Sequence, residues 1–311
     1  MEVKKVFYEA RYSTVQNLFN NLFLHTQGQY KIVDNYEECD VVITYDILWN
    51  QQINGDKEYI LIRNEPEVVL PQNYKERNLK IYKDIFDVGK LNDGLKKTIN
   101  SPQNLDMRFF DKSNRADKIV LVNSNLLSLR RGEMYSLRRK AIYSIDDLVL
   151  YGRGWNSKIS TRIKTLIIEV KNVSSNPTRL EIKRNCNYFY HANNYLGAPP
   201  DKILCMSNFK YALVIENSMD YISEKLFDAF IAGCIPVYVG VNPQKFGIPE
   251  NLYFYAEPNL ESILLALSLA RKSDFEAWQA SCKNWLESDS TISNWSVENF
   301  ALNLTNLIFN Q

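Results

Sequence analysis

At 311 residues the chain is too long for one small domain and suits two of about 150 residues each. Apolar residues make up 45% and aromatics 13%, enough for two sizeable cores and too much for a disordered chain. A net charge of +1 supplies no global attraction to nucleic acid or to an anionic membrane, so any anion site must be local.

Cys39, Cys186, Cys205, Cys234 and Cys282 lack CxxC spacing and are odd in number, which points to reduced, mostly buried thiols and a cytoplasmic setting. His25 and His191 are the only histidines, and there is no HExxH or DxD motif, so a catalytic metal site is not expected. Residues 1–10 contain no apolar signal core, and no run approaches the ~18 apolar residues of a membrane span. A soluble chain is expected.

Along the chain, residues 3–8 read as a strand and 15–24 as an amphipathic helix with Leu18, Phe19, Leu22 and Phe23 on one face. Residues 30–33, 40–45 and 59–62 read as further short apolar strands, the pattern of a buried parallel sheet. After the last of them, in RNEPEVVLPQNY, Pro66 and Pro71 end regular structure and leave Arg63, Glu65 and Glu67 at the carboxyl end of a strand. Either acid reads as a solvated turn residue or as a group facing a ligand. Residues 90–117 are polar and patternless, with Asn92, Gly94, Ser101, Pro102 and Asn114, which places a boundary near Asp117 and gives domains 1–117 and 118–311.

The second half opens with KIVLVNSN, a strand running into a polar loop, followed by a helix from about Glu133. On that helix Arg138, Arg139 and Lys140, like Arg130 before it, read as solvated or acid-paired charges. Residues 148–155, LVLYGRGW, form a strand ending in Gly152 and Gly154, where small residues let backbone approach a ligand. Residues 163–173 fit a helix or a strand. NYFYHANNY is aromatic without a period; it suits core packing or stacking on a sugar, with His191 a hydrogen-bonded structural residue. Helices follow at 260–271 and 275–286, the latter with Trp278 and Trp285 on one buried face, and an amphipathic helix at 297–309 closes the chain.

The most informative stretch is residues 210–240, KYALVIENSMDYISEKLFDAFIAGCIPVYVG. A strand at 211–215, a polar loop at 216–221, a helix at 224–231 stopped by Gly233 and a strand at 235–239 make a βαβ unit with parallel strands. In open α/β sheets ligands sit at the carboxyl edge where this loop lies. Ser223 is the N-cap, and Glu224 and Lys225 fall in the first turn, where unpaired NH groups favour an anion. A lysine there opposes the helix dipole unless it meets a bound phosphate, while Glu224 can accept from sugar hydroxyls. A capped helix with a solvated Glu and Lys is the plain alternative.

ENSMDYISEKLFDAFIAGCIPVYVG resembles, without a gap, the donor-binding signature of the family 10 glycosyltransferases, the α-1,3/4-fucosyltransferases. That signature runs ENS, DY(V/I)TEK, a helix, AG and (V/I)PV(V/Y)(L/W/Y)G; here Ser223 replaces the usual Thr and Ile215 a common aromatic. The resemblance extends to the family's Val-Ser-Asn segment, placing Ser124 and Asn125 beside the donor and Arg131 on its diphosphate, and to an Asp-x-Tyr-Gly segment at Gly152. It implies a GT-B architecture, two Rossmann-like α/β domains facing a cleft, with the acceptor side first and the last helix packing back on it. It also implies donor contacts from Glu216, Asn217, Tyr221, Ser223, Glu224 and Lys225, and a catalytic acid resembling Glu65, with Glu67 as the alternative. The implied activity is metal-independent, inverting transfer of fucose from GDP-fucose to a glycan acceptor, with no cofactor. Animal members carry a membrane stalk, which this chain is not expected to have. A transferase using another nucleotide-sugar, and a sugar-nucleotide-binding module without catalysis, are the competing readings.

Overall fold

The computed structural model describes residues 3–10, 30–47, 55–91, 97–172 and 179–309; the helix expected at 15–24 lies outside them. The chain divides into two compact units, Met1–Asn104 with Asp289–Gln311, and Leu105–Ser288.

The first unit is built on β1 (Lys4–Ala10), β2 (Tyr30–Ile32), β3 (Val41–Tyr45), β4 (Glu58–Arg63), β5 (Asp84–Val88) and β6 (Lys97–Ile99), with a single helical turn, α1 (Glu76–Leu79), before β5. Among the described residues every strand pair is parallel, in the order β2-β1-β3-β4-β5-β6. The apolar runs of β3 and β4 explain their central place: alternate residues point to opposite faces, and both faces are covered. Val41, Ile43, Ile60 and Ile62 enter one core, whereas Val42, Tyr59 and Leu61 enter the other.

The second unit contains β7 (Ala116–Val122), α2 (Tyr135–Ile142), β8 (Leu148–Tyr151), α3 (Ile159–Asn172), α4 (Arg179–Arg184), α5 (Lys202–Met206), β9 (Phe209–Ile215), α6 (Glu224–Ile231), β10 (Ile235–Val239), β11 (Phe254–Tyr255), α7 (Leu260–Lys272) and α8 (Phe275–Leu286). Its strands are parallel in the order β11-β10-β9-β7-β8. Because β7 lies between β8 and β9, the winding reverses there, and the carboxyl ends of β7 and β9 form the switch point at which doubly wound sheets bind ligands. The ambiguous 163–173 segment lies largely in helix α3. Helix α2 starts two residues later than Glu133, because that carboxylate caps it, accepting from Ser136 N at 2.9 Å and Ser136 Oγ at 2.5 Å. Trp278 is buried and donates to Leu252 O at 2.9 Å, while Trp285 packs on Phe227 and Phe230.

After α8 the chain returns to the first unit through α9 (Asp289–Trp295) and α10 (Val297–Phe309). Phe300 and Leu304, at 3% and 0% exposure, join the core formed by β1, β3, β4 and β5. Leu304→Ala is therefore expected to cost about 2–5 kcal/mol, the cavity and transfer terms of a buried leucine. Urea unfolding of the first unit reads this; a loss under ~0.5 kcal/mol, the range of surface changes, would remove α10 from that core.

Candidate functional site

The β9–α6–β10 unit carries a buried charge at its carboxyl edge. Glu216 N extends the ladder to Val239 O at 2.9 Å, and its side chain is 0% exposed. A buried carboxylate requires partners, and Glu216 has them: Ser223 N donates at 2.9 Å, Ser223 Oγ lies 3.0 and 2.7 Å from the two oxygens, and Lys225 Nζ lies 3.3 Å away. Ser223 also caps α6, accepting from Lys225 N at 3.3 Å and Lys225 Nζ at 2.8 Å. The buried face of α6, with Leu226, Phe227 and Phe230, pins this N-terminus in place. Gly240 is required at the end of β10, since a Cβ there would stand 2.4 Å from Tyr238 OH and 2.8 Å from Glu216 Cγ.

Arg138 and Arg139, expected at the surface, are 2% and 1% exposed. Arg138 Nε and Nη2 donate to Ile215 O at 3.0 and 2.6 Å, and Nη2 donates to Asn217 Oδ1 at 2.8 Å. Met134 N adds a bond to Asn217 O at 3.0 Å, so the start of α2 is stitched to the loop after β9. The physical reason is that a carbonyl at the buried end of a central strand needs a donor, and a long side chain from the neighbouring helix supplies it. Burial pushes the Arg138 guanidinium below its usual pKa, opposed by Tyr135, Tyr221, Glu216 and Glu133. Burial takes Arg139 down to about 10; it donates to Leu126 O at 2.6 Å and Asn187 Oδ1 at 3.0 Å, tying the loop after β7 to residues 185–187.

Of the residues singled out in the sequence, Glu216, Tyr221 and Ser223 are buried, Asn217 and Lys225 half-buried, and Glu224 exposed. Lys225 lies 3.6 Å from Glu224, and Lys202 of α5 pairs with Asp228 and lies 3.8 Å from Glu224. Lys202 and Lys225 line, with Val122 and Asn123, a crevice between β7 and β9. Sequence reading passed over Lys202, whose only signal was its place after the N-cap Asp201.

On the β7 side, Ser124 is half-buried, and Asn125 is 6% exposed with neither Nδ2 nor Oδ1 bonded among the described residues. Gly152, at φ 144°, is needed because a Cβ would lie 1.9 Å from Asn123 O. The close approach is therefore to the chain's own backbone. Arg131 is exposed, in the turn before α2.

In the first unit, Asp46 organises the loop after β4. It is 1% exposed, at φ 60°, and its Oδ1 accepts from Asn64 N at 2.9 Å, Glu65 N at 3.1 Å and Asn73 Nδ2 at 2.5 Å. Tyr74 OH donates to Glu65 O at 3.1 Å. Glu65 is half-buried and Glu67 exposed. Arg63 forks onto buried Asp87, Nε to Oδ1 at 2.9 Å and Nη2 to Oδ2 at 2.6 Å, and stacks over Tyr74 at 4.6 Å. Its charge is thus held inside the loop's foundation.

The five cysteines carry free thiols, Cys39, Cys234 and Cys282 buried and Cys186 exposed. Among the described residues no group of three or more His, Cys, Asp or Glu is placed to hold a metal ion, and no helix is long and apolar enough to cross a membrane.

No protein-family model matches the chain, and no curated protein matches it in sequence. Solved structures do match in fold. An α1,3-fucosyltransferase with GDP shares 12% identity over 98% of this chain and 89% of its own, at a TM-score of 0.53. HepE of Anabaena in complex with UDP and glucose shares 9% over 99% of this chain and 100% of its own, at 0.57. WaaG, a glycosyltransferase involved in lipopolysaccharide biosynthesis, shares 9% over 99% and 100%, at 0.55. Two doubly wound parallel α/β units, matched across nearly the whole length, give this chain the GT-B fold.

Proposed function

We propose that the chain is an inverting glycosyltransferase that moves a sugar, fucose from GDP-fucose, to a glycan hydroxyl by single displacement. The observation that carries the reading is the Glu216–Ser223–Lys225 network at the N-terminus of α6, beside the switch point. It holds a cation, Lys225, at the N-terminus of α6, the edge where a diphosphate would lie. The ENSMDYISEK resemblance and the fucosyltransferase fold match support the same donor.

In this reading Lys225 and Arg131 bind the diphosphate, and Asn217 and Glu224 meet hydroxyls of the donor. Buried Glu216, Tyr221 and Ser223 act by shaping the loop and orienting Lys225. Ser124, Asn125 and Gly152 flank the same edge. Glu65, with Glu67 as the alternative, takes the proton of the acceptor hydroxyl as its oxygen bonds to the anomeric carbon and the bond to the diphosphate breaks, releasing GDP. The developing charge on the leaving group is met by side-chain cations and helix NH groups, which replace a divalent ion in this role.

A different nucleotide-sugar is the second reading, favoured by the fold match to a UDP-bound protein. Calorimetric titration with GDP and UDP in excess EDTA separates the two. GDP binding without metal is the expected result; UDP binding alone would change the donor, and binding of neither would overturn the site.

A further inference from the structure

Helix α3 presents its apolar residues to water. Ile159, Ile163, Ile167 and Val170 are 64%, 45%, 49% and 44% exposed, and their spacing of four, four and three puts them on one stripe. The helix is fastened to its unit by polar side chains instead. Arg162, 2% exposed, donates to Trp155 O at 2.5 Å, Tyr188 O at 2.8 Å and Tyr190 O at 2.9 Å, and Glu169 accepts from Leu129 N at 3.1 Å and Ser128 Oγ at 3.3 Å. A surface helix of a soluble domain ordinarily has the reverse arrangement. The charge on the helix is one-sided as well: Lys158 just before it, Lys164 and Lys171 are exposed, whereas its one acid, Glu169, is tied to Leu129 N and Ser128 Oγ. Lys164 and Lys171 lie on the exposed surface beside the stripe.

We propose that this face of α3 docks on an anionic lipid bilayer, the stripe entering the boundary between headgroups and acyl chains and the lysines meeting lipid phosphates. An exposed apolar stripe, low overall hydrophobicity and flanking lysines are the features of a helix lying in the plane of a membrane surface. The lysines argue for a lipid surface over a second copy, since a self-complementary contact would bring like charges together. The proposal does not depend on the nucleotide-sugar reading: α3 lies outside the Glu216–Ser223–Lys225 network.

The test is co-sedimentation of the full chain with vesicles of phosphatidylcholine containing about one third phosphatidylglycerol, and with phosphatidylcholine alone. The expected result is a preference of ~10-fold or more for the anionic vesicles, reduced ~10-fold in Ile163→Ser/Ile167→Ser and lost in Lys164→Glu/Lys171→Glu. All four positions are exposed, so thermal melts of the variants are expected to match the wild type. Failure of the wild type to sediment with anionic vesicles would overturn the proposal, as would unchanged binding in both variants. A wild-type dimer that Ile163→Ser/Ile167→Ser turns into a monomer, with no vesicle binding in either, would instead make the face an interface between copies.

Discussion

Glu65→Gln is expected to lower sugar transfer by ~10²- to 10⁴-fold with donor affinity unchanged, the loss that follows removal of a general base. Inversion by single displacement needs a group to accept the acceptor's proton as the new bond forms. The resemblance points to a carboxylate for this role, and His191 is exposed. Glu65 is also the better held of the two acids. Its NH is fixed by Asp46 and its carbonyl by Tyr74, and it precedes buried Pro66, whereas Glu67 is exposed. Those backbone bonds do not involve the carboxylate, so the amide is expected to keep the loop's course. Turnover and donor affinity measured for Glu65→Gln and Glu67→Gln decide the matter. A collapse confined to Glu67→Gln moves the base two residues, and near-normal turnover in both takes the loop out of the chemistry.

The parts legible in the sequence were those whose signal is local. β3 and β4 are apolar on both faces because both are covered, and the β9–α6–β10 unit announces itself through a cap at Ser223 and β-branched runs on either side. Helix α3 was ambiguous because its run TLIIEV is β-branched and its apolar stripe faces water, so neither propensity nor burial pattern identified a helix. The buried guanidiniums were missed for a different reason. Arg138 is held by a strand carbonyl 77 positions away, and nothing near it in the chain marks a bond to Ile215. The same holds for Asp46, whose role depends on NH groups 18 and 19 residues later, and for the Arg63–Asp87 fork. Of the residues named from motif likeness between β9 and α6, Glu216, Tyr221 and Ser223 are buried, Lys225 lines the crevice, Asn217 is half-buried and Glu224 is exposed, a division that depends on packing and that the motif does not display.

Lys225→Ala is expected to weaken GDP-sugar binding by ~2–5 kcal/mol, about 30-fold at the least, because a phosphate would lose its cation in a partly dry crevice. Arg131→Ala is expected to weaken binding within the same range, but the two variants differ in what they do to the fold. Arg131 is exposed, so its loss leaves stability within ~0.5 kcal/mol. Lys225 is bonded to a carboxylate that is 0% exposed, whereas the sequence alone, which sets this lysine against a bound phosphate or solvent, gives no reason for a change in folding. With the ammonium gone, Glu216 keeps Ser223 but loses its charge partner, a change expected to cost ~1–3 kcal/mol of stability. Lys225→Arg separates the effects: a retained cation restores the partner of Glu216, while the larger, planar guanidinium changes the geometry offered to the phosphate. Thermal melts should therefore rank wild type and Lys225→Arg above Lys225→Ala. Titrations with GDP, run below the melting range of every variant, should show Lys225→Ala and Arg131→Ala both impaired. Wild-type GDP affinity in folded Lys225→Ala would remove the lysine from the donor site and leave it a structural counter-ion to Glu216.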